Sequence, residues 1–278
     1  MSPAGQKPLS PLHRRALQRA FYQLENQNFA ARLAEYAGQP FDRLMRAMPK
    51  PASDGINRAI EAAILRCLAL AVRSIDRNGK RPPAQGLSSL TVGLSGAVSG
   101  FFGVAALPIE LPVTTALMLR GIADIGRHYG EDLSRLDGRL ACVEVFALAP
   151  GGAGRRVDVG YYATRALLAR LAADAAAFLL ERGALSMSNP VVNSLVAEIV
   201  ARFGVIVSER FAASAVPVLG AAGGAAVNMI FMSHFQQVAH GHFIVRRLER
   251  LYGPALVRRE YDELASRAAR AHAEPAGT

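Results

Sequence analysis

Cysteine is nearly missing from this sequence. Cys67 and Cys142 are the only two in 278 residues, and neither has a metal-ligand neighbour at short spacing. A disulfide scaffold and a paired-cysteine zinc or redox site are thereby excluded, and free buried thiols in a reducing compartment are the expectation. Lysine is scarce too, with 3 against 29 arginines, a bias that base composition explains as readily as selection for phosphate forks. The nucleophile elbow GxSxG, the phosphate loop GxxxxGK[ST], the zinc motif HExxH and the dinucleotide loop GxGxxG are all absent. GGAGRR at 151–156 lacks the helix signature that should follow a phosphate loop and reads as a basic loop. No zinc-finger or RNP pattern occurs, so nucleic acid is not an expected partner. The opening MSPAGQKPLSPLHRRALQRAF lacks the apolar core of a cleaved signal, which makes the cytoplasm the expected compartment.

Charge is also missing over two long stretches. Residues 82–109 and 211–245 contain no Asp, Glu, Lys or Arg, and both exceed the roughly twenty residues that span a bilayer. Asn228, Ser233, His234, Gln236, Gln237, His240 and His242 weigh against insertion of the second stretch, and dense Gly and Ser against the first. Both stretches carry small residues at helical steps. Gly93, Gly96, Gly100 and Gly103 recur every three or four residues, as do Gly220 and Gly224, so each set lines one face of a helix. Such a face is costly without close packing, since a helical glycine loses about 1 kcal/mol relative to alanine. Two glycine-rich apolar helices packed together in the core are therefore expected.

What remains is helical. Leu17, Phe21, Leu24 and Phe29 share one side of a segment over 12–36, while Arg14, Arg15, Arg19 and Arg32 take the other. Ile56, Ile60, Ile64, Leu68 and Val72 recur at helical spacing after a loop in which Ser53 or Asp54 could cap the helix. Pro112 suits a first turn and Gly130 an end, with further helices near 134–149, 157–182, 190–212, 226–252 and 254–270. No segment alternates with β-branched enrichment. The expected architecture is all-α, a single multi-helix domain of about eight to ten helices: a basic N-terminal helix and linker over 1–54, a main helical domain over 55–270 and a disordered tail over 271–278. A faint internal echo at a shift of 123 residues superposes Arg127 on Arg250 and Tyr129-Gly130 on Tyr252-Gly253.

The net charge of +10 is uneven, with +8 in residues 1–81. Such an end favours anionic lipid, nucleic acid or an acidic partner. Arg14, Arg15 and Arg19 are the candidate membrane-surface residues. His234, His240 and His242 cannot converge on one ion along a straight helix, because steps of six and two residues turn the side chains by roughly 240° and 200°; no metal and no cofactor are expected. Asp124 and His128 have the generic i, i+4 spacing of a helix surface.

The run GLSGAVSGFFGVAALPIELPVTTALMLRGIADIGRHYGEDLS, then RLACVEVFAL, then SERFAASAVPVLGAAGGAAVNMIFMSHFQQVAHGHFIVRRLERLYG, resembles the bacterial EcsC family over roughly residues 55–262. The family takes its name from a protein encoded beside an ABC transporter, and the resemblance brings no enzymatic activity or catalytic residues with it. It implies an Asp between the two Leu-Pro pairs, so Glu110 is a departure that keeps the charge and lengthens the arm, and it implies an Asn at the position of Asn228. Glu110 stands alone in some forty weakly polar residues. One role is to meet the positive end of the helix that follows, worth about 0.3–1 kcal/mol. The other is to orient a ligand, with Asn228 and His234, in an apolar pocket. The expected function is that of a non-enzymatic accessory protein at the cytoplasmic membrane face, binding lipid or another hydrophobic ligand, or a membrane protein such as a transporter. The alternative is a hydrolase-like enzyme using Glu110, Asp124 or His128.

Overall fold

The computed structural model describes residues 8–25, 32, 33, 35, 50–73, 107–149, 160–182, 189–214 and 220–273. Among them lie eight helices and no strand: α1 Pro11–Glu25, α2 Lys50–Arg73, α3 Leu107–His128, α4 Leu136–Leu148, α5 Tyr161–Arg182, α6 Pro190–Ser214, α7 Gly220–Tyr252 and α8 Pro254–Ala273. Local chemistry sets most of the starts. Proline opens α1, α6 and α8 and is the second residue of α2, where its missing N–H has no intrahelical partner to lose. The Asn189 carboxamide oxygen accepts from the Val191 amide at 2.8 Å, and the Ser10 hydroxyl accepts from the His13 amide at 3.2 Å, so both residues act as N-caps. Gly130 and Gly253, at φ +78° and +87°, end α3 and α7 in the left-handed conformation that glycine adopts without a side-chain clash. Both ends of the 123-residue echo are thus built alike.

Three starts fall earlier than the pattern predicts, among them that of α7, at Gly220 rather than near 226. Ser53 and Asp54 lie inside α2 rather than capping it, because Lys50-Pro51 already provides the first turn. Pro112 lies inside α3, which begins at Leu107. Its ring removes one backbone donor, so the Pro108 carbonyl lacks its usual i+4 partner.

α7 is the central element. α1 packs along its C-terminal half, α3, α4 and α6 pack on its flanks, and α8 folds back beside it. Phe231 and Phe235 of α7, Phe146 of α4 and Phe203 of α6 form an aromatic nucleus, with ring centroids 5.0 Å apart for Phe146 and Phe203 and 5.5 Å for Phe203 and Phe235. All four are fully buried, and tilted or edge-on pairs of this kind add about 0.5–1.5 kcal/mol beyond area burial. From Val227 to Val245 the second charge-free stretch is thus mostly buried in the protein, with Met229 and Gln236 exposed. α4 is buried on every side from Gly138 to Leu148, which explains why its sequence has no amphipathic period. Cys67 and Cys142 are free and buried, and burial pushes both thiols up to about 12, far from the reactive thiolate range.

Gly93, Gly96, Gly100 and Gly103 lie outside the described residues. Gly220 and Gly224 stand in the first turns of α7. The geometry makes two other glycines necessary. A Cβ at Gly138 would stand 2.2 Å from the Asp132 carbonyl oxygen. A Cβ at Gly241 would stand 2.8 Å from the Leu24 Cγ and 3.1 Å from the Ala20 carbonyl oxygen, where α1 crosses α7. Gly121, on α3, has open space there. Gly241→Ala should therefore lower stability by about 1–3 kcal/mol through overpacking, while Gly121→Ala should raise it by up to about 1 kcal/mol through helix propensity. Thermal melts of the two variants check this, and equal shifts would contradict the close crossing.

Candidate functional site

Three polar regions are organised around α7. The first answers the question of the isolated acid. Glu110 lies in the first turn of α3, and its Oε1 accepts from the Arg210 Nη2 at 2.5 Å. Both side chains are buried, at 8% and 4% exposure. The Arg210 guanidinium also lies over the Phe231 ring, 4.9 Å from its centroid, so one arginine of α6 ties α3 to α7. Asn228 and His234 are buried on α7 as well. Six residues apart, they leave the helix about 120° from one another and do not point at a common spot. Burial first, and then the neighbouring Arg32, lower the His234 imidazole to about 3, so it is neutral at pH 7.

The second region is a belt of charge on the C-terminal half of α7. Arg246 donates from Nε to the Glu131 Oε2 at 2.9 Å and from Nη2 to Oε1, and Arg250 donates to Oε2 at 2.6 Å. Glu131 follows the left-handed Gly130, and Arg250 also donates to the Tyr129 carbonyl at 2.8 Å, which closes the C-terminus of α3. Burial alone would raise the Glu131 carboxyl, but the hydrogen bonds and charges of the two arginines more than offset it and hold the group below its usual range. Opposite, Arg165 of α5 grips Glu249 with bonds of 2.7 and 2.6 Å, and Tyr162 donates to the same carboxylate at 3.1 Å. The Tyr161 hydroxyl meets the His242 Nδ1 at 3.0 Å. Glu25 at the end of α1 accepts from the Tyr161 amide, capping α5, and from the Tyr261 hydroxyl of α8.

Glu144 of α4 lies within this belt, 5% exposed. It makes no hydrogen bond with the described residues. Desolvation raises its carboxyl to about 7 against the pull of Arg246 and Arg165, with Glu131 adding a push upward. The arginines it sees are committed to Glu131 and Glu249, so it keeps its proton instead.

The third region is the outer face made by α1 and the end of α7. Leu12, Arg15, Arg19 and Tyr22 fall within about 80° on α1. All four are exposed, Leu12 at 73% and Tyr22 at 61%. Arg247 and Leu251 are exposed on α7, and the contact of Ser10 and His13 with the Tyr252 hydroxyl places the start of α1 beside them. Arg14 turns to Glu260 of α8 at 3.5 Å. Arg15, Arg19 and Arg247 make no ion pair with the described residues.

The groups named for a hydrolase do not assemble. Asp124 is exposed and paired with Arg127 at 2.5 Å, His128 is exposed at the end of α3, and Glu110 lies about 21 Å of helix rise from Asp124. Among the described residues no three His, Cys, Asp or Glu side chains are placed to hold a metal ion. Among the described residues one helical stretch, Pro190–Arg210, is long and apolar enough to cross a membrane, with mean hydropathy 1.7 and 39% of that window buried in the protein.

An all-α protein with a long central helix, buried ion pairs around it and a basic-apolar face outside it is the class these observations define. The EcsC protein family model matches residues 13–248, from α1 nearly to the end of α7, and the chain belongs to that family. No curated protein matches the chain, and no solved structure does.

Reading the residues missed Arg210, although the signal was present: Glu110 ends one charge-free stretch, Arg210 opens the other, and their signs are opposite. It also missed Glu144, whose apolar neighbours gave no period to read.

Two predictions follow from the buried acids. Glu110→Gln removes the charge from a buried hydrogen bond to the Arg210 guanidinium, so it should cost about 1.5–3 kcal/mol rather than the 0.3–1 kcal/mol of a helix-end effect; chemical denaturation distinguishes the two ranges. For Glu144, the folded chain holds the proton up to about pH 7, whereas the unfolded chain releases it near 4.5. Its contribution to stability therefore declines as pH rises from about 4.5 to 7, by about 3 kcal/mol in all. Glu144→Gln should be more stable than the natural chain at pH 8, with the gap closing toward pH 4.5. A gap that stays constant with pH would mean an ordinary carboxylate.

Proposed function

We propose that the protein is a non-enzymatic accessory protein that docks peripherally on the anionic cytoplasmic face of a membrane, with lipid as its partner. One observation carries this reading: Leu12 and Tyr22 share an exposed side of α1 with Arg15 and Arg19, Leu251 and Arg247 are exposed near the end of α7, and none of these arginines has an ion-pair partner among the described residues. Apolar side chains interleaved with unpaired arginines match an interface where acyl chains meet phosphate headgroups, whereas a surface meant only for water favours mixed, self-paired charge. α8 shows that contrast on the same molecule, since Arg258 and Arg267 pair with Asp262 and Glu263. Family membership is compatible with a role beside a transporter, and the membrane face brings the protein to any such partner.

Each basic side chain at an anionic surface contributes about 1 kcal/mol, so replacing Arg15, Arg19 and Arg247 together with alanine should weaken partition onto anionic vesicles by about 3 kcal/mol, on the order of a hundredfold. Co-sedimentation should fall in parallel as salt rises to about 1 M, where the Debye length is roughly 3 Å. An unchanged triple variant would move the docking surface elsewhere, and release by detergent alone would favour insertion through Pro190–Arg210.

A further inference from the structure

α4 starts without a capping side chain. Arg135, the residue before it, makes no side-chain cap, so the first-turn amides keep the positive end of the helix dipole exposed to their surroundings. Arg139, one turn into the helix, adds a full charge at the same end, and it is only 7% exposed. Its Nη1 donates to the Leu133 carbonyl at 3.1 Å and to the Ser134 carbonyl at 2.9 Å, which brings the guanidinium back over the turn that leads into α4. The opposite edge is different: Nε and Nη2 are buried and have no hydrogen-bond partner. The nearest acids in the chain are engaged elsewhere. The Asp132 carboxylate accepts from the Ser134 amide and hydroxyl at 2.9 and 2.6 Å, and Asp137 accepts from the Arg135 Nε at 3.0 Å. Arg139 is thus a buried cation with no ion-pair partner among the described residues, a costly arrangement without a counter-charge. Arg246 shows what this edge of a guanidinium holds, since its Nε and Nη2 donate to the two oxygens of Glu131. Two parallel N–H groups match two coplanar oxygens.

We propose that the Nε–Nη2 edge of Arg139, at the N-terminal end of α4, binds a small carboxylate anion. The helix end and the guanidinium act on the same region, and both favour negative charge. Carboxylate is preferred to phosphate for two reasons. The fork has two donors to fill, which one carboxylate satisfies in full, and the fields of Asp132 and Asp137, which reach Arg139, oppose a dianion more than a monoanion. Both nitrogens are shielded from solvent, so the anion enters as the outer turn 132–135 moves aside. The site belongs to α4 and is independent of the docking reading.

The test uses the full chain at pH 7 and follows the Arg139 Nε–H resonance in 1H–15N spectra as acetate, phosphate or chloride is added at matched ionic strength. Acetate should shift that resonance and saturate it, with half-saturation at about 1–10 mM, the range that two charge-assisted bonds support. At about 100 mM, acetate should also raise the thermal midpoint by a few degrees, because it binds the folded chain alone. Phosphate should bind about tenfold more weakly, and chloride should leave the resonance in place. Arg139→Lys keeps the charge but loses the fork, so its midpoint should no longer respond to acetate; Arg15→Gln, on the docking face, should respond as the natural chain does. If the Lys variant does not fold, the resonance of the natural chain decides alone. No shift with any anion would overturn the proposal, leaving Arg139 held by the two carbonyls only. Phosphate binding as tight as acetate would overturn the carboxylate assignment, and an acetate response that survives in Arg139→Lys would overturn the role of the fork.

Discussion

Two arginines of α7 converge on one carboxylate, Glu131, directly after the turn that ends α3, and much of the structure depends on that junction. The left-handed Gly130 places Glu131 against α7, and Arg250 returns a bond to the last carbonyl region of α3. Taking charged groups out of water is costly unless geometry is good and the remaining hydrogen bonds are filled. The site meets that condition with two guanidiniums and a backbone acceptor. The same rule recurs at Arg165 with Glu249 and at Arg210 with Glu110. Glu144 is the carboxyl for which no committed guanidinium is left, and it remains an acid.

These pairings divide the arginines into two populations. Arg165, Arg210, Arg246 and Arg250 are held by carboxylates from distant parts of the chain, whereas the buried Arg139 donates to the Leu133 and Ser134 carbonyls. Arg15, Arg19 and Arg247 stay outside with exposed Leu12, Tyr22 and Leu251 among them. α1 crosses α7 closely at Gly241, and that crossing sets where Arg15 and Arg19 lie along α7. The membrane reading follows from the second population.

Much of the fold was legible because its signals are local. The helical periods and the glycine stops at 130 and 253 each require only a few neighbouring residues, whereas Pro112, the proline read as a start, lies inside α3. The Arg-x-Tyr-Gly echo was legible too, and both copies present a tyrosine hydroxyl to an imidazole of another helix, Tyr129 to His240 and Tyr252 to His13. The buried ion pairs were harder to read because their partners stand 84 to 119 residues apart, and no short spacing records them. α4 carries no readable face because every side is buried. Glu110 drew notice by its isolation, but a lone charge does not name its partner. Gly241 looked ordinary beside the glycine-rich stretches, since the need for it comes from α1 crossing and not from any repeat of its own.

The central claim is that α1 and the end of α7 form the membrane-facing surface of an otherwise self-contained helical body. Backbone hydrogen–deuterium exchange with and without anionic vesicles tests this most directly. The account predicts added protection over residues 11–25 and over the last turns of α7 to Tyr252, with α4 and α6 unchanged. Protection that instead appears along Pro190–Arg210, with α1 unaffected, would contradict it.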